Sequence, residues 1–311
     1  MIEVDISDLK TLEFIPEDER EDGISLIVRV RNGEDFLRIA IESAIDQVDE
    51  IIVVFNESID RTEEVLLELE EKYPEKIHLY KYLPFVYPPH DNYYRSGRVK
   101  STDPHALSHY YNFALSKTRF SHVCKHDDDN LVFPNVFRRL KNEVVKRNNS
   151  ITIGLRGINL FDLNNKIYVN KSSPETHGKD TLVFKYNEET RYVQAAQFEV
   201  FDCKQKTLWV ETCFYHLKYC KRDRGLNNYN LNRNTRSRYV GIFKDMFKNT
   251  NLVPLNEYIK GKNYPNPFDL GFEFITDGEK TYDVEEFRTL EKSIRDRYTE
   301  DEIEDFALDT E

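Results

Sequence analysis

Three consecutive aspartates, Asp127, Asp128 and Asp129, are the residues of this sequence whose types and spacing best suit metal binding. Neighbouring carboxylates raise one another's pKa values unless a cation neutralises them. Residues two apart point to the same side of an extended chain, so we expect Asp127 and Asp129 to converge on one cation while Asp128 faces elsewhere. Mg²⁺ or Mn²⁺ suits such oxygen ligands and often completes its coordination with substrate phosphates. The triplet thus predicts a divalent-metal site for a nucleotide diphosphate, and the alternative is a solvated acidic turn.

The sequence before the triplet alternates between strand and helix patterns. Short β-branched runs predict strands at 24–30, 50–55, 77–82 and 120–125, the last of which ends beside the triplet. The intervening helices are predicted from apolar spacing after Glu34, from a capping box of Asp60 and Glu63, and from Asp103 as N-cap with Pro104 in the first turn. This order predicts a parallel sheet with right-handed crossovers, in which ligands gather at the carboxyl ends of the strands.

The sequence after the triplet is less regular. A helix is predicted at 134–146, followed by short strands at 151–155, 166–169, 181–186 and 193–201 that Gly, Asn and Pro turns separate. Further helices are predicted at 237–247 and from 284 onward. We therefore divide the chain into a polar lead-in (1–22), a nucleotide-binding half (23–135), an acceptor-side half (136–220) and a charged, partly helical C-terminal extension (221–311).

The composition narrows the class of partners. A net charge of −12 and a pI of 5.3 argue against binding to nucleic acid. No stretch approaches the roughly 18 apolar residues of a membrane helix, which leaves peripheral membrane association open. The four cysteines form no CxxC pair, so we expect a reducing, cytoplasmic setting.

Motifs between residues 24 and 135 resemble glycosyltransferase family 2. They are the Arg31-Asn32 pair after the first strand, the helical Ile41-Glu42-Ser43-Ala44-Ile45, the segment Asn56-Glu57-Ser58-Ile59-Asp60-Arg61-Thr62, and the acidic triplet. The resemblance implies an α/β fold of the GT-A type, which is Rossmann-like with a mostly parallel sheet and flanking helices. It also implies metal-dependent transfer of a hexose or deoxyhexose from a nucleotide sugar to a glycan or glycolipid acceptor, as in polysaccharide biosynthesis.

The same resemblance assigns roles on the donor side. Arg29 and Val30 would lie against the nucleotide base, and Asp128 would contact the donor. Asn56 stands where an acidic residue commonly reads the uracil edge. Because Phe55 and Asn56 replace two expected acids, a thymidine or guanosine donor stays open beside uridine.

The resemblance further implies a histidine ligand near the end of the catalytic domain. His216 has the right place in the chain order, and Lys218 would then meet a donor phosphate. An inverting transferase also needs a carboxylate base within hydrogen-bond reach of the attacking hydroxyl. Glu211, Glu199 and Asp180 are the options in this part of the chain; Glu211 follows a Trp209 able to stack on a sugar, and Asp180 is its main competitor.

Two other functions fit parts of the sequence. A sugar-phosphate nucleotidylyltransferase would share the sheet and the metal aspartate, but it normally has a Gly-rich basic loop after the first strand, where this chain has only Gly33. A non-catalytic glycan-binding relative would fit the altered Phe55-Asn56 pair. The intact Asp127 and Asp129 favour the enzyme.

Overall fold

The computed structural model describes residues 1–89, 91–95, 99–146, 151–163, 165–176, 181–195, 199–202, 205–222 and 251–275. Within these residues one mixed sheet holds most of the strands, and helices pack on it. The strands are β1 Ile2–Val4, β2 Glu21–Val30, β3 Glu50–Phe55, β4 Ile77–Tyr82, β5 Phe120–His126, β6 Asn130–Val132, β7 Thr152–Asp162, β8 Ile167–Asn170, β9 Leu182–Lys185, β10 Arg191–Gln194, β11 Glu199–Asp202, β12 Thr207–Tyr219 and β13 Leu252–Pro254. The α-helices are α1 Leu37–Ile45, α2 Thr62–Lys72, α3 Asn92–Arg95, α4 Leu107–Ser116, α5 Val136–Leu140 and α6 Leu255–Ile259.

The first half of the sheet is parallel, in the order β1-β4-β3-β2-β5. Strand β2 lies between β3 and β5, where Val28 pairs with Val53 on one side and His126 on the other. The carboxyl ends of β2, β3 and β5 therefore meet at one edge, and the loops that follow them lie together. This arrangement confirms the GT-A-type α/β class and its flanked parallel sheet.

The second half of the sheet is mixed. Strand β9 joins β5 to β7 through antiparallel pairs, β12 runs parallel to β7, and the short β6 closes the far edge antiparallel to β12. Strands β10 and β11 form a separate antiparallel hairpin beside α4. Because β6 directly follows the acidic triplet, the pairing of β6 with β12 brings the two halves of the sheet together at the triplet.

The two faces of β2 bury two apolar layers. Leu26, Val28 and Val30 pack with α1 and α2, whereas Ile27 faces the layer built around α4. This alternation follows from the period of two along a strand, and it explains why β2 carries a nearly continuous apolar run.

Several predicted boundaries need correction. The capping box is wrong, because Glu63 pairs with Lys81 and Asp60 instead accepts from the backbone N–H of Thr62 at 3.0 Å. The third helix begins at Leu107 and not at Pro104, since residues 103–106 form a separate hydrogen-bonded turn. Strand β7 is longer than the run predicted at 151–155, β12 was not predicted at all, and β1 adds an edge strand to the predicted lead-in.

The predicted helices at 237–247 and after 284 lie outside the described residues. Among the described helices, none is both long and apolar enough to cross a bilayer.

Two glycines of β7 test the packing of the mixed half. A Cβ on Gly157 would come within 2.2 Å of the buried Phe214 ring, and a Cβ on Gly154 would come within 2.4 Å of the Trp209 ring, which is 42% exposed. Because Phe214 has no room to turn, we expect Gly157→Ala to lower the free energy of unfolding by about 1–3 kcal/mol, as overpacking does. Trp209 can rotate toward solvent, so Gly154→Ala should change it by less than about 0.5 kcal/mol. Urea unfolding of both variants measures the difference. Equal losses in the free energy of unfolding would show that the Phe214 and Trp209 rings do not determine how closely side chains of β12 pack against the two glycines.

Candidate functional site

The acidic triplet forms the turn between β5 and β6. The N–H of Asn130 donates to the carbonyl of Asp127 at 3.2 Å, so the backbone folds back within the triplet. A turn does not keep the alternation of a strand, and the expectation that Asp128 would face away from Asp129 is therefore wrong. Both carboxylates contact the ammonium of Lys221, at 2.8 Å from Asp128 Oδ2 and 3.0 Å from Asp129 Oδ2.

The loop after β2 is held by the segment that follows β3. Three successive backbone N–H groups donate to side chains of that segment: Asn32 to Ser58 Oγ at 3.1 Å, Gly33 to Thr62 Oγ1 at 2.7 Å, and Glu34 to Asp60 Oδ2 at 3.1 Å. The Ser-x-Asp-x-Thr spacing of the segment supplies all three acceptors. The motif behind the family resemblance thus fixes the shape of the neighbouring loop.

Gly33 lets this loop approach the triplet closely. A Cβ at Gly33 would lie 2.6 Å from Asp128 Oδ2 and 2.4 Å from a methyl carbon of Val30. Any larger residue would displace either the loop or Asp128. The loop after β2 and the turn after β5 are therefore packed as one unit.

Strand pairing brings His216 to Asp129. His216 lies opposite Asn130 in the β6–β12 ladder, and the N–H of Leu217 donates to the carbonyl of Asp129 at 2.8 Å. The ring nitrogen Nε2 of His216 lies 3.4 Å from Asp129 Oδ1. The pairing predicted from chain order, Asp129 with His216, is therefore present in the fold.

The hydrogen bonds around His216 indicate which nitrogen carries the proton. His216 Nδ1 lies 2.8 Å from Asn159 Oδ1, and the amide nitrogen of Asn159 lies 3.4 Å from the carbonyl of Glu175. Asn159 therefore offers its oxygen to Nδ1, which must be the donor in a neutral ring. The lone pair of Nε2 then points toward Asp129 Oδ1, a buried atom that makes no hydrogen bond within the described structure.

A lone pair and a carboxylate oxygen that face each other at this distance suit a shared cation. The nitrogen and oxygen donors fit Mn²⁺ or Mg²⁺, and Asn159 orients the histidine as a supporting hydrogen bond commonly does in metal sites. No cluster of three or more His, Cys, Asp or Glu side chains poised around a metal is found in the described part of the chain. Asp127 is half-buried at the end of β5 and does not complete such a cluster with Asp129 and His216.

Burial and charge separate the two inner aspartates. Burial raises the pKa of Asp128 above its usual range, and Lys221 offsets this only in part. Burial also opposes ionisation of Asp129, but the ammonium of Lys221, 3.0 Å from its Oδ2, outweighs it and lowers the pKa of Asp129 below its usual range. Asp129 is therefore the carboxylate that stays ionised and available to a cation.

Arg29, one of the predicted donor contacts, lies close enough to the triplet to interact with the charge of Asp127. Its Nε donates to the Tyr111 hydroxyl at 2.9 Å, and burial raises the pKa of Tyr111 to about 12. Burial alone would lower the pKa of Arg29. The nearby Tyr111, Glu199 and Asp127 raise it by more than burial lowers it, so the pKa is raised overall and the side chain stays charged. Val30 is 2% exposed and packs in the core, so its side chain does not reach a ligand, contrary to prediction.

Asn56 lies at the end of β3, as predicted for a base-reading residue. Its amide nitrogen donates to the carbonyls of Tyr82 at 3.0 Å and Pro84 at 3.2 Å. With both N–H groups used, the side chain presents its carbonyl oxygen only as an acceptor. A small cleft beside it is lined by Arg31, Glu57 and the chain from Leu83 to Val86.

The remaining predicted site residues are Lys218, Glu211 and Asp180. Lys218 is half-buried and lies two residues after His216 on β12, in a stretch where the register of β12 with β7 shifts between His216 and Tyr219. Glu211 is exposed and five residues from His216, roughly 17 Å along an extended strand, so the structure does not bring it to the triplet. Asp180 lies outside the described residues.

Sequence reasoning missed Lys221 and Asn159. Neither belongs to a local motif, because both reach the triplet only through the pairing of β12 with β6 and β7. Every second residue after His216 is Lys218 and then Cys220, the neighbour of Lys221 in the sequence, but this spacing gives no indication of Asn159 on β7.

Comparison with known proteins supports the motif assignment. Residues 25–82 match the family model of glycosyl transferase family 2, which confirms the resemblance over that segment. No curated protein matches the chain significantly.

Solved structures with a related fold have low similarity. S. aureus TarS 1-349 aligns with a TM-score of 0.36 and 13% identity over 79% of this chain and 76% of that chain, and its complex with UDP aligns over 62% and 59% with a TM-score of 0.36 and 13% identity. Glucosyl-3-phosphoglycerate synthase from Mycobacterium tuberculosis, solved with Mn²⁺, UDP-glucose and phosphoglyceric acid, aligns with a TM-score of 0.30 and 18% identity over 48% of this chain and 46% of that chain.

The bond from Gly33 to Thr62 can be tested by an isosteric change. Thr62 is fully buried, so Thr62→Val keeps the volume but leaves the Gly33 N–H without its acceptor. We expect a loss of about 1–3 kcal/mol in the free energy of unfolding. Thr62→Ser keeps the hydroxyl and should lose less, although it removes a buried methyl group. Chemical denaturation ranks the two variants, and a valine variant as stable as the serine variant would contradict this role of the hydroxyl.

Proposed function

We propose that this chain, which carries a glycosyl transferase family 2 segment at residues 25–82, is a metal-dependent glycosyltransferase. It would move a hexose or deoxyhexose from a nucleotide diphosphate sugar to a hydroxyl of a glycan or glycolipid, as in polysaccharide biosynthesis in the cytoplasm. The observation that carries this proposal is the approach of His216 Nε2 to the unpartnered Asp129 Oδ1, at 3.4 Å, beside the carboxyl ends of the parallel strands.

The proposed metal ligands are Asp127, Asp129 and His216. A bound Mn²⁺ or Mg²⁺ would neutralise the charge that develops on the leaving diphosphate. Asp129 contributes an ionised oxygen, and Asn159 holds His216 in the tautomer whose Nε2 can donate its lone pair. Lys218, two residues after His216 on β12, is the proposed phosphate contact.

The donor base is proposed to lie near Asn56. An acceptor oxygen at this position pairs with a ring N–H, which uracil, thymine and guanine have at their pairing edges and which adenine and cytosine lack. Arg29 supplies a fixed positive charge on the neighbouring strand, and Asp128 stays a proposed donor contact. A uridine, thymidine or guanosine donor therefore suits this side of the site.

Inversion at the sugar is proposed to use a carboxylate base. Asp180, which lies outside the described residues, is the candidate we favour, because Glu211 is exposed and distant from the triplet along β12 and Glu199 pairs with Lys125 at 3.7 Å. We therefore expect Asp180→Asn to lower the transfer rate by roughly 10²- to 10⁴-fold, and Glu211→Gln to leave it nearly unchanged.

The activity can be assigned with a donor screen. UDP-, TDP- and GDP-sugars are incubated with the protein in Mn²⁺, in Mg²⁺ or in EDTA, and release of the nucleoside diphosphate is measured. Release that needs a divalent cation supports the proposal. Pyrophosphate from a nucleoside triphosphate and a sugar 1-phosphate would instead indicate a nucleotidylyltransferase. Donor binding without any release would indicate a glycan-binding relative.

The metal role of Asp129 is tested by Asp129→Asn, which keeps the side-chain volume and removes the charge. We expect the metal-dependent part of nucleoside diphosphate binding to disappear, and turnover to fall by about 10²-fold or more, as for the loss of one charge-stabilising group. Asp46→Asn, at the exposed far end of α1, is the matched control. Calorimetric titrations with and without Mn²⁺ measure binding, and an Asp129 variant that folds and turns over normally rules out the proposed metal site.

The role of His216 is tested by the choice of metal. An imidazole nitrogen is a softer ligand than oxygen, so His216→Ala should weaken Mn²⁺ activation more than Mg²⁺ activation. Asn159→Ala should weaken Mn²⁺ affinity by roughly 10- to 100-fold, because the histidine loses the bond that orients it. Titration of each metal against nucleotide release checks both. Identical Mn²⁺ curves for the parent and the His216 variant would reduce His216 to a packing residue.

A further inference from the structure

The ammonium of Lys221 contacts two of the three carboxylates of the acidic triplet. Its Nζ lies 2.8 Å from Asp128 Oδ2 and 3.0 Å from Asp129 Oδ2, and its side chain is 5% exposed. The two carboxylates are nearly as deeply buried, at 9% and 7% exposed. An ion pair at this depth interacts strongly because little water screens it.

The backbone beside Lys221 is anchored independently. The N–H of Arg222 donates to Asp35 Oδ2 at 2.9 Å and its Nε donates to Asp35 Oδ1 at 2.6 Å, and its guanidinium also pairs with Glu34. These contacts join the end of β12 to the loop after β2. The Lys221 side chain has four rotatable carbon–carbon bonds, so its ammonium can leave the carboxylates while this anchor keeps the backbone in place.

The ammonium and a divalent cation cannot share Asp129 without cost. Asp129 Oδ1 faces His216 Nε2, whereas Lys221 holds the other oxygen of the same carboxylate. An ion bound to Oδ1 would lie within a few ångströms of the ammonium, and like charges at that separation repel strongly where burial excludes water.

We propose that Lys221 is a built-in counter-ion that competes with the divalent cation for Asp129 and is released when a nucleotide diphosphate arrives with the metal. This inference rests on the proposed function. The diphosphate brings negative charge that can take over the ammonium, so the contact passes from the carboxylates to phosphate oxygens. Lys221 thereby makes metal binding depend on the nucleotide and disfavours loading of the site by metal alone.

Thermodynamic linkage between metal binding and nucleotide binding predicts how the Mn²⁺ affinity should change. In the parent, Mn²⁺ alone should bind weakly, and UDP or GDP should tighten its binding markedly. In Lys221→Gln, Mn²⁺ alone should bind about tenfold tighter or more, because the competing charge is gone. The tightening by nucleotide should shrink, since the released ammonium no longer meets the phosphates.

Lys81→Gln is the matched control. It removes the same charge by the same substitution, from a half-buried ammonium on β4 that pairs with Glu63 at 2.9 Å. A general change in net charge would affect both variants equally, whereas competition at Asp129 changes only the Lys221 variant. Free Mn²⁺ is followed by electron paramagnetic resonance, with the nucleotide absent and with UDP or GDP added.

Removal of Lys221 alone leaves two buried carboxylates without their cation and can prevent folding. The double variant Lys221→Gln with Asp128→Asn removes one charge of each sign and keeps Asp129 intact. It too should bind Mn²⁺ alone more tightly than the parent. Unchanged or weaker Mn²⁺ binding in a folded Lys221 variant overturns the inference. Absence of Mn²⁺ binding in the parent under every condition overturns the proposed metal function instead.

Discussion

Negative charge buried at the end of β5 is the constraint on which the rest of the site depends. Two carboxylates with less than a tenth of their side-chain surface exposed cannot both stay ionised without positive charge close by. The fold answers with the ammonium of Lys221, which contacts one oxygen of each carboxylate. The pKa of Asp129 falls and that of Asp128 rises, so Asp129 is the one of these two carboxylates that stays ionised.

The close approach of the two loops follows from the same constraint. Gly33 has no side chain, which lets Asp128 lie against the backbone of the loop after β2. That loop keeps its shape because Ser58, Asp60 and Thr62 each accept one of its N–H groups. The motif between β3 and α2 therefore acts on the triplet indirectly, through the backbone it holds, and it need not contact a ligand to matter for binding.

The sequence predicted what is local and missed what depends on pairing. The β-branched runs that became β2 and β3 are apolar enough on both faces to identify buried parallel strands. The triplet was found because its charge is unusual, but its geometry was misjudged, since a turn replaced the assumed strand. Asn159 and Lys221 are ordinary polar residues in sequence, and their roles come from the β7–β12–β6 register, which no short window of sequence encodes.

The two halves of the sheet contribute different parts of one site. The parallel half supplies the acidic turn and the loops around it, whereas β12 of the mixed half supplies His216 and, just beyond its end, Lys221. A single backbone bond, from the Leu217 N–H to the Asp129 carbonyl at 2.8 Å, sets the distance between these contributions. Since His216 lies on β12 and Lys221 follows just after its end, a shift of that strand would move both together. Under the proposed function, metal affinity and neutralisation of the triplet would therefore depend on one structural element, and exchange of Lys221 for a cation at Asp129 would need only a side-chain movement and would leave the sheet in place.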